Sequence, residues 1–367
     1  MRVLIICPYL HRHGGVSNYF KGILKYISVN VDVFQVGSYS VNSNIYSKIG
    51  KLYNDRRNLL DLIGNSSKRY DLIHINPSLL YGSLFRDGIL FRSLTKYNIK
   101  SIVFFRGWER NYEKYIESLF YKNFYCTFNK ADAFIVLASN FREKLRKWGF
   151  KQPIYLETTI VDDDLLKGFS LKKRLEKIGS NNKIQILHMA RIDNERKGII
   201  ESLDAIALLS KKFDDLKFVI AGDGFFIEKA KKHAHRLGIM KDVIFLGHIY
   251  GEQKKRVLEE SDLFLFPTFS NEGMPNSVLE AMSFGIPLIT RPVAGLKDIL
   301  INGKHGFITK DKNPASIAAK IEKLILDRNL RKKIASINYE LASDRFLGSK
   351  VAKRIENIYE KTLQFSH

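Results

Sequence analysis

Residues 263–285 read LFLFPTFSNEGMPNSVLEAMSFG. Leu263–Phe266 is a short apolar, aromatic run, the composition of a buried strand. From Asn276 onward the apolar positions take helical spacing. Pro275 suits the first helical turn, and Gly285 stops the helix. Strand, loop and helix together form half of a βαβ unit. Working outward, the same alternation recurs along the whole chain. Strands are expected at Val3–Cys7, Val31–Val36, Leu72–Ile75, Ile102–Phe105 and Ala133–Leu137. A second series is expected at Ile184–Met189, Phe218–Ala221, Val243–Leu246, Leu263–Phe266 and Pro287–Thr290. Each series suffices for one doubly wound parallel sheet.

The fold class expected is therefore α/β, with two Rossmann-like domains facing a cleft. The first covers residues 1–163 and the second 164–345. The break falls between Ile160 and Ser180, where an acidic triplet precedes Lys-rich sequence. The tail at 346–367 spaces Val351, Ile355, Ile358, Tyr359 and Leu363 as one helical face, which needs an element to cover it. In open α/β sheets, ligands sit beyond the carboxyl ends of the strands. The loops that follow the strands are thus where chemistry is sought.

Composition narrows the classes. The chain has 367 residues, 45% of them hydrophobic, so it can bury two cores. There are two cysteines, Cys7 inside the first apolar run and Cys126. A buried cysteine is usually a small hydrophobe, and a reducing, cytoplasmic compartment fits. The first apolar run is too short for a signal peptide and meets His11-Arg12-His13. No stretch has transmembrane length. The net charge is +22, and residues 1–150 carry 23 Lys and Arg against 10 Asp and Glu. Cations are interleaved with aromatics there, from Tyr81 to Arg86 and from Tyr112 to Lys122. Such a face suits an anionic membrane surface, while an ordinary solvated surface has the same composition. Nucleic acid is not expected as a partner, because no binding module accompanies the charge.

The loop after Phe266 holds Glu272 just before a helix start, with Glu280 on the helix body. Free amides at a helix N-terminus make an anion site, and Gly273 lets a phosphate come close. Glu272 suits a sugar hydroxyl beside a diphosphate, and Glu280 suits ribose hydroxyls. Ordinary helices also carry two such glutamates; Glu-Gly-x-Pro at a strand-to-helix turn is what singles these out. After Ile184–Met189, Arg191 can bridge two phosphate oxygens and Lys197 supplies a point charge. Fixed cations there stabilise charge growing on a departing diphosphate. Arg196 reads as solvated. Gly222-Asp223-Gly224 ends another strand, and Gly14-Gly15 opens a helix after the first. In both places glycine admits a close phosphate, though tight turns use it too.

Taken together, these residues resemble the family 4 GT-B retaining glycosyltransferases, also called glycosyltransferase group 1. The matching features are Arg191 with Lys197-Gly198, Gly222-Asp223-Gly224, Glu272 with Glu280, and the amino-terminal Gly14-Gly15. Ala131-Asp132 with Ser139, and Asn302-Gly303 with Gly306-Phe307, match as well. The resemblance covers nearly the whole chain and is densest over residues 184–310. It implies a C-terminal helix crossing back to the first domain, a donor nucleotide sugar (UDP- or GDP-linked) in the second domain and an acceptor in the first. Arg191 and Lys197 would hold the diphosphate, Glu280 the ribose and Glu272 the transferred sugar. The turn Gly273-Met274-Pro275-Asn276, with Ser277, would supply amides. Transfer would retain the anomeric configuration without a metal or other cofactor. A lipid-linked or polysaccharide acceptor is expected, as in bacterial capsule or lipopolysaccharide assembly at the inner face of the cytoplasmic membrane.

The chain departs from the family in two places. Many members carry a His at the end of a first-domain strand, where Arg106 stands in Phe104-Phe105-Arg106-Gly107-Trp108. An anionic donor or acceptor group near Arg106 is the implied consequence. The spacing from Arg191 to Lys197 is one residue longer than usual. Asp162-Asp163-Asp164 invites a metal reading, but helix N-capping is the commoner use of Asp before Leu165. His11, His13, His188, His233 and His235 lack metal-ligand spacing. Two rivals keep the same architecture: a sugar-nucleotide 2-epimerase, and a non-catalytic membrane-docking partner.

Overall fold

The computed structural model describes residues 1–11, 14–37, 44–64, 69–180, 183–270 and 273–364. By contacts the chain divides into two units. The first comprises Met1–Thr159, Asn271–Met274 and Gly348–His367; the second comprises Ile160–Ser270 and Pro275–Leu347.

In the first unit the strands are β1 (Arg2–Pro8), β2 (Asn30–Val36), β3 (Leu72–Ile75), β4 (Ser78–Leu79), β5 (Lys100–Phe105), β6 (Gly107–Trp108), β7 (Ala133–Val136) and β8 (Ile154–Leu156). Six of them form one sheet in the order β2-β1-β3-β5-β7-β8, and β4 pairs with β6 separately. All these pairings are parallel. Because parallel strands are covered on both faces, their side chains are apolar without alternation. Val3, Leu4 and Ile5 and the β7 residues Ala133–Val136 are fully buried accordingly.

The second unit carries β9 (Ile184–Met189), β10 (Leu216–Ala221), β11 (Val243–Gly247), β12 (Leu263–Phe266), β13 (Leu288–Thr290) and β14 (Gly306–Ile308). Their order is β11-β10-β9-β12-β13-β14, again all parallel. The core beneath it joins Ile186, Phe218 and Leu265 of the sheet to Leu203, Ile321 and Ile334 of the helices.

The expected α/β class and two doubly wound sheets are therefore present. Four strands lay outside the sequence reading: β4, β6, β8 and β14. Each has two or three residues, and only the neighbour across the ladder distinguishes them from loop. β14 also begins on Gly306 at φ +128°, where a Cβ would overlap the Leu288 carbonyl. Pro275 is the residue before the helix Asn276–Ser283 rather than part of its first turn. Its ψ of 118° is extended, which ends the preceding loop. Gly285, at φ +63°, follows the helix as expected.

The tail forms the helix Gly348–Gln364, whose buried face is Val351, Ile355, Ile358 and Tyr359. It groups with the first unit. Three polar contacts hold it there. Arg354 donates to both oxygens of the buried Glu157 at 2.6 and 2.9 Å. Glu356 accepts from the Ser28 hydroxyl at 2.8 Å, and the Tyr359 hydroxyl lies 2.7 Å from Nδ1 of His74. Among the described residues, no helix is long and apolar enough to cross a membrane.

Candidate functional site

The second sheet grows outward in both directions from β9 and β12, so its order reverses between these two strands. Ligands of doubly wound sheets bind outside the carboxyl ends at that reversal. The loops leaving β9 and β12 are the ones that carry Arg191, Lys197 and the approach to Asn276.

These two loops are fastened to each other. The Arg196 carbonyl accepts from the Phe269 amide at 2.8 Å and from the Thr268 hydroxyl at 3.1 Å. Asn194 caps the short 3-10 turn Glu195–Lys197 through the Arg196 amide at 2.9 Å. Gly198 follows at φ +77°, and a Cβ there would lie 2.6 Å from the Pro267 carbonyl oxygen. Lys197 is thus set on a turn whose backbone has little freedom. Arg191 differs: its side chain is 74% exposed and pairs with Asp193 at 2.7 Å. A ligand phosphate would compete with that carboxylate.

The glycines of Gly222-Asp223-Gly224 have a packing reason. A Cβ on Gly222 would overlap the Ala190 carbonyl, and one on Gly224 would overlap that of Ile192. The Ile192 amide donates to the Asp223 carbonyl at 2.7 Å. This turn shapes the Arg191 loop from behind, through backbone contact that only glycine permits.

In the loop after β12, Glu272 lies outside the described residues, as does Asn271. Gly273 groups with the first unit, where a Cβ would come within 3.2 Å of a Leu137 methyl and 3.5 Å of the Arg106 carbonyl. The Met274 carbonyl accepts from Thr159 at 3.4 Å, and Met274 is buried. The helix Asn276–Ser283 has no side-chain cap at its N-terminus. Its first-turn amides, from Asn276 and Ser277, are thus the kind of donors an anion accepts. Glu280 sits one turn further and pairs with Lys254 at 2.6 Å. Lys254 uses one oxygen, leaving acceptor capacity for hydroxyls. Nothing local in the sequence marked Lys254, which comes from the helix Gly251–Glu260.

In the first unit, Gly14 precedes the helix Gly15–Ile23 and β1 precedes that turn. Added Cβ atoms on Gly14 and Gly15 meet nothing within 4 Å, so space beside this turn is open. The Ser17 hydroxyl donates to the Tyr9 carbonyl at 3.0 Å and holds the loop back.

Arg106, just after β5, is 7% exposed. Its guanidinium lies 3.7 Å over the Tyr19 ring and 4.3 Å over that of Phe104. Burial lowers its pKa to about 10. Among the described residues, Nε and Nη1 are buried without a hydrogen-bond partner. Nearby His74 is pushed down to about 3, chiefly by burial and also by the Arg106 charge, so it is neutral. Tyr19 and Phe104 were not anticipated as partners of Arg106; they come from separate elements.

The remaining candidates are structural. Asp162 caps the 3-10 turn Asp163–Leu166 by accepting from the Asp164 amide. Buried His188 sits edge-on to Phe218 and Phe266, its pKa lowered to about 4 by burial. His13 lies outside the described residues. Among the described residues, no group of three or more His, Cys, Asp or Glu converges for a metal. Burial pushes the Cys7 thiol up to about 12, which keeps it protonated.

Two parallel sheets of this kind define a doubly wound α/β protein, and in the second unit cations and an uncapped helix start lie at the strand-order reversal, where such sheets take their ligands. Residues 172–341 match the family model described as glycosyl transferases group 1. An uncharacterised glycosyltransferase of Methanocaldococcus jannaschii is 26% identical over 261 residues, covering 62% of this chain and 66% of the relative. Phosphatidyl-myo-inositol mannosyltransferase of Mycobacterium leprae is 26% identical over 48% of this chain and 46% of its own length. The capsular polysaccharide biosynthesis glycosyltransferase CapM of Staphylococcus aureus is 27% identical, over 53% and 50%. The chain spans about half the length of most curated relatives it matches. The fold is shared over more of the chain. Anabaena HepE in complex with UDP-glucose superposes with a TM-score of 0.74 at 18% identity, covering 98% of this chain and all of that one. Sucrose-phosphate synthase of Thermosynechococcus elongatus superposes at 0.75 and 15% identity, covering 98% and 99%. The fold class is GT-B.

Proposed function

We propose that the protein is a retaining, metal-independent glycosyltransferase that moves a sugar from a UDP- or GDP-sugar to a lipid-linked or polysaccharide acceptor. The observation that carries this reading is the fastening of the Arg191–Lys197 loop to the loop before Asn276, at the strand-order reversal between β9 and β12. It lies inside the segment matched to the glycosyl transferases. Relatives named for capsular polysaccharide and phosphatidylinositol glycosylation support the acceptor class. The basic first half supports work at the inner, anionic face of a cytoplasmic membrane.

In this mechanism Lys197, Arg191 and the Asn276 and Ser277 amides hold the diphosphate. Glu280 takes the ribose hydroxyls and Glu272 the hydroxyls of the transferred sugar. Gly14 and Gly15 leave room for a phosphate beside the first-unit helix, while Gly222 and Gly224 support the Arg191 loop. The bond from the anomeric carbon to the diphosphate oxygen breaks. The acceptor hydroxyl oxygen forms its bond on the same face. Its proton passes to the departing phosphate oxygen, whose charge the cations and amides stabilise more than they stabilise the ground state. Arg106, desolvated and short of acceptors, meets an anionic group of donor or acceptor.

The test offers purified protein a panel of UDP- and GDP-sugars with candidate acceptors, with and without EDTA. Nucleotide release and product anomeric configuration are measured. Release that survives EDTA with retained configuration is expected. An inverted product, or loss of turnover on chelation, overturns the mechanism; undiminished turnover by Arg106→Ala removes the role of Arg106.

A further inference from the structure

The first unit holds a cavity of about 260 Å³ that shares no residue with the site above. One wall is the helix Tyr81–Leu94, through Leu84, Gly88 and Ile89. The other is the helical run from Arg110 to Phe128, through Ile116, Phe124 and Phe128. Between Ile116 and Phe120 that run is π-helical. Such widened turns are uncommon and concentrate at functional sites.

The mouth gathers large apolar side chains in the open. Of the lining residues, Phe85 is 62% exposed and Phe120 39%, and Leu119, which precedes Phe120, is 69% exposed. Exposed Arg92 is the one charged residue of the lining. Lys114 and Lys122 are exposed on the helical run that forms the second wall. A largely apolar lining with one cation, Arg92, and no carboxylate selects a ligand with two ends, one hydrocarbon and one anionic. The cavity is larger than the roughly 150 Å³ apolar hole that stays dry and admits a benzene-sized molecule.

We propose that this cavity receives the hydrocarbon chain of a phosphate-bearing lipid, with Arg92 meeting the phosphate. That this lipid carries the acceptor sugar rests on the function proposed above; the chain site itself does not.

The chain's two tryptophans make the test direct. Trp148 lies with its ring centroid 5.2 Å from that of Phe124 in the cavity wall, and Trp108 stacks 5.8 Å from Trp148. Bromine quenches tryptophan emission only at short range, so terminally brominated alkyl phosphates of increasing length report entry. Saturable quenching is expected, with affinity rising about fourfold per added methylene until the cavity is full, then levelling. In Gly88→Leu the new Cβ meets only Thr127 Cγ2 at 3.7 Å and Phe128 Cζ at 3.9 Å, ordinary contacts. Leucine also favours the helix, so the variant should fold while filling the space. It is expected to weaken quenching at least about tenfold, with UDP binding unchanged. Absent quenching, an affinity that climbs without levelling, or equal affinity in folded Gly88→Leu would each overturn the chain site. Saturable quenching without transfer to any lipid-linked sugar would leave the chain site standing and overturn the acceptor reading. Transfer to lipid-linked and water-soluble acceptors alike, with no quenching, would overturn the chain site alone.

Discussion

Replacing Gly198 by alanine separates two costs that the structure makes distinct. Gly198 has φ +77°, and a left-handed conformation costs a residue with a Cβ about 1–2 kcal/mol. The Cβ would also lie 2.6 Å from the Pro267 carbonyl oxygen and 2.9 Å from its carbon. Both are backbone atoms, so one of the two fastened loops must move. Overpacking of that kind costs about 1–3 kcal/mol more. Gly238 supplies the control, because its φ is +71° and an added Cβ meets nothing within 4 Å. Gly238→Ala therefore carries the conformational cost alone. For a unit of this size each kcal/mol lowers the melting temperature by about 2–4 °C. Gly198→Ala should thus melt roughly 6 °C below Gly238→Ala in scanning calorimetry of the second unit. Its UDP affinity should fall as well, because Lys197 is the preceding residue, whereas Gly238→Ala should bind normally. Melting of the two variants within about 1 °C, with equal UDP affinity, would refute the claim that these loops are locked together.

Alanine at Lys197 or Arg191 should weaken UDP binding about tenfold or more, the loss of one charge-assisted hydrogen bond, measured by titration calorimetry. Unchanged affinity in both would remove them from the diphosphate site. Burial lowers His188 to about 4, while in the unfolded chain it titrates near 6.5. The unfolded chain therefore binds the proton first as pH falls, so stability is constant above about 6.5 and lost toward 4. At pH 5 the loss from this residue is about 2 kcal/mol, and His188→Leu should show a smaller drop in melting temperature from pH 7 to pH 5. Arg354→Met leaves the buried Glu157 carboxylate without its bidentate partner. A loss of about 3 kcal/mol in urea unfolding is expected, partly recovered when Glu157→Gln is added. No recovery in the double variant would mean that the ion pair is not the source of the loss.

Much of this protein could be read from local chemistry. Parallel strands covered on both faces must be apolar throughout, so runs such as Val3–Cys7, Ile184–Met189 and Leu263–Phe266 identify themselves. The helices between them follow from apolar spacing, and together these imposed two doubly wound sheets. The Arg191–Lys197 loop and the start of the helix at Asn276 could be placed after strands because polar and glycine residues stand where a strand ends, while Glu272 lies outside the described residues. What neighbours decide was not legible. The two- and three-residue strands β4, β6, β8 and β14 exist only through the ladder beside them. Gly222 and Gly224 read as phosphate glycines, yet packing against Ala190 and Ile192 already requires them. The partner of Glu280 is Lys254, 26 residues away on another helix. The Arg106 guanidinium is stripped of water between Tyr19 and Phe104, which no spacing in the sequence announces. Periodicity and turn chemistry act over a few residues, and the sequence carries them openly. Burial, ion pairing and steric overlap depend on atoms brought together from distant positions, and only the folded chain determines those.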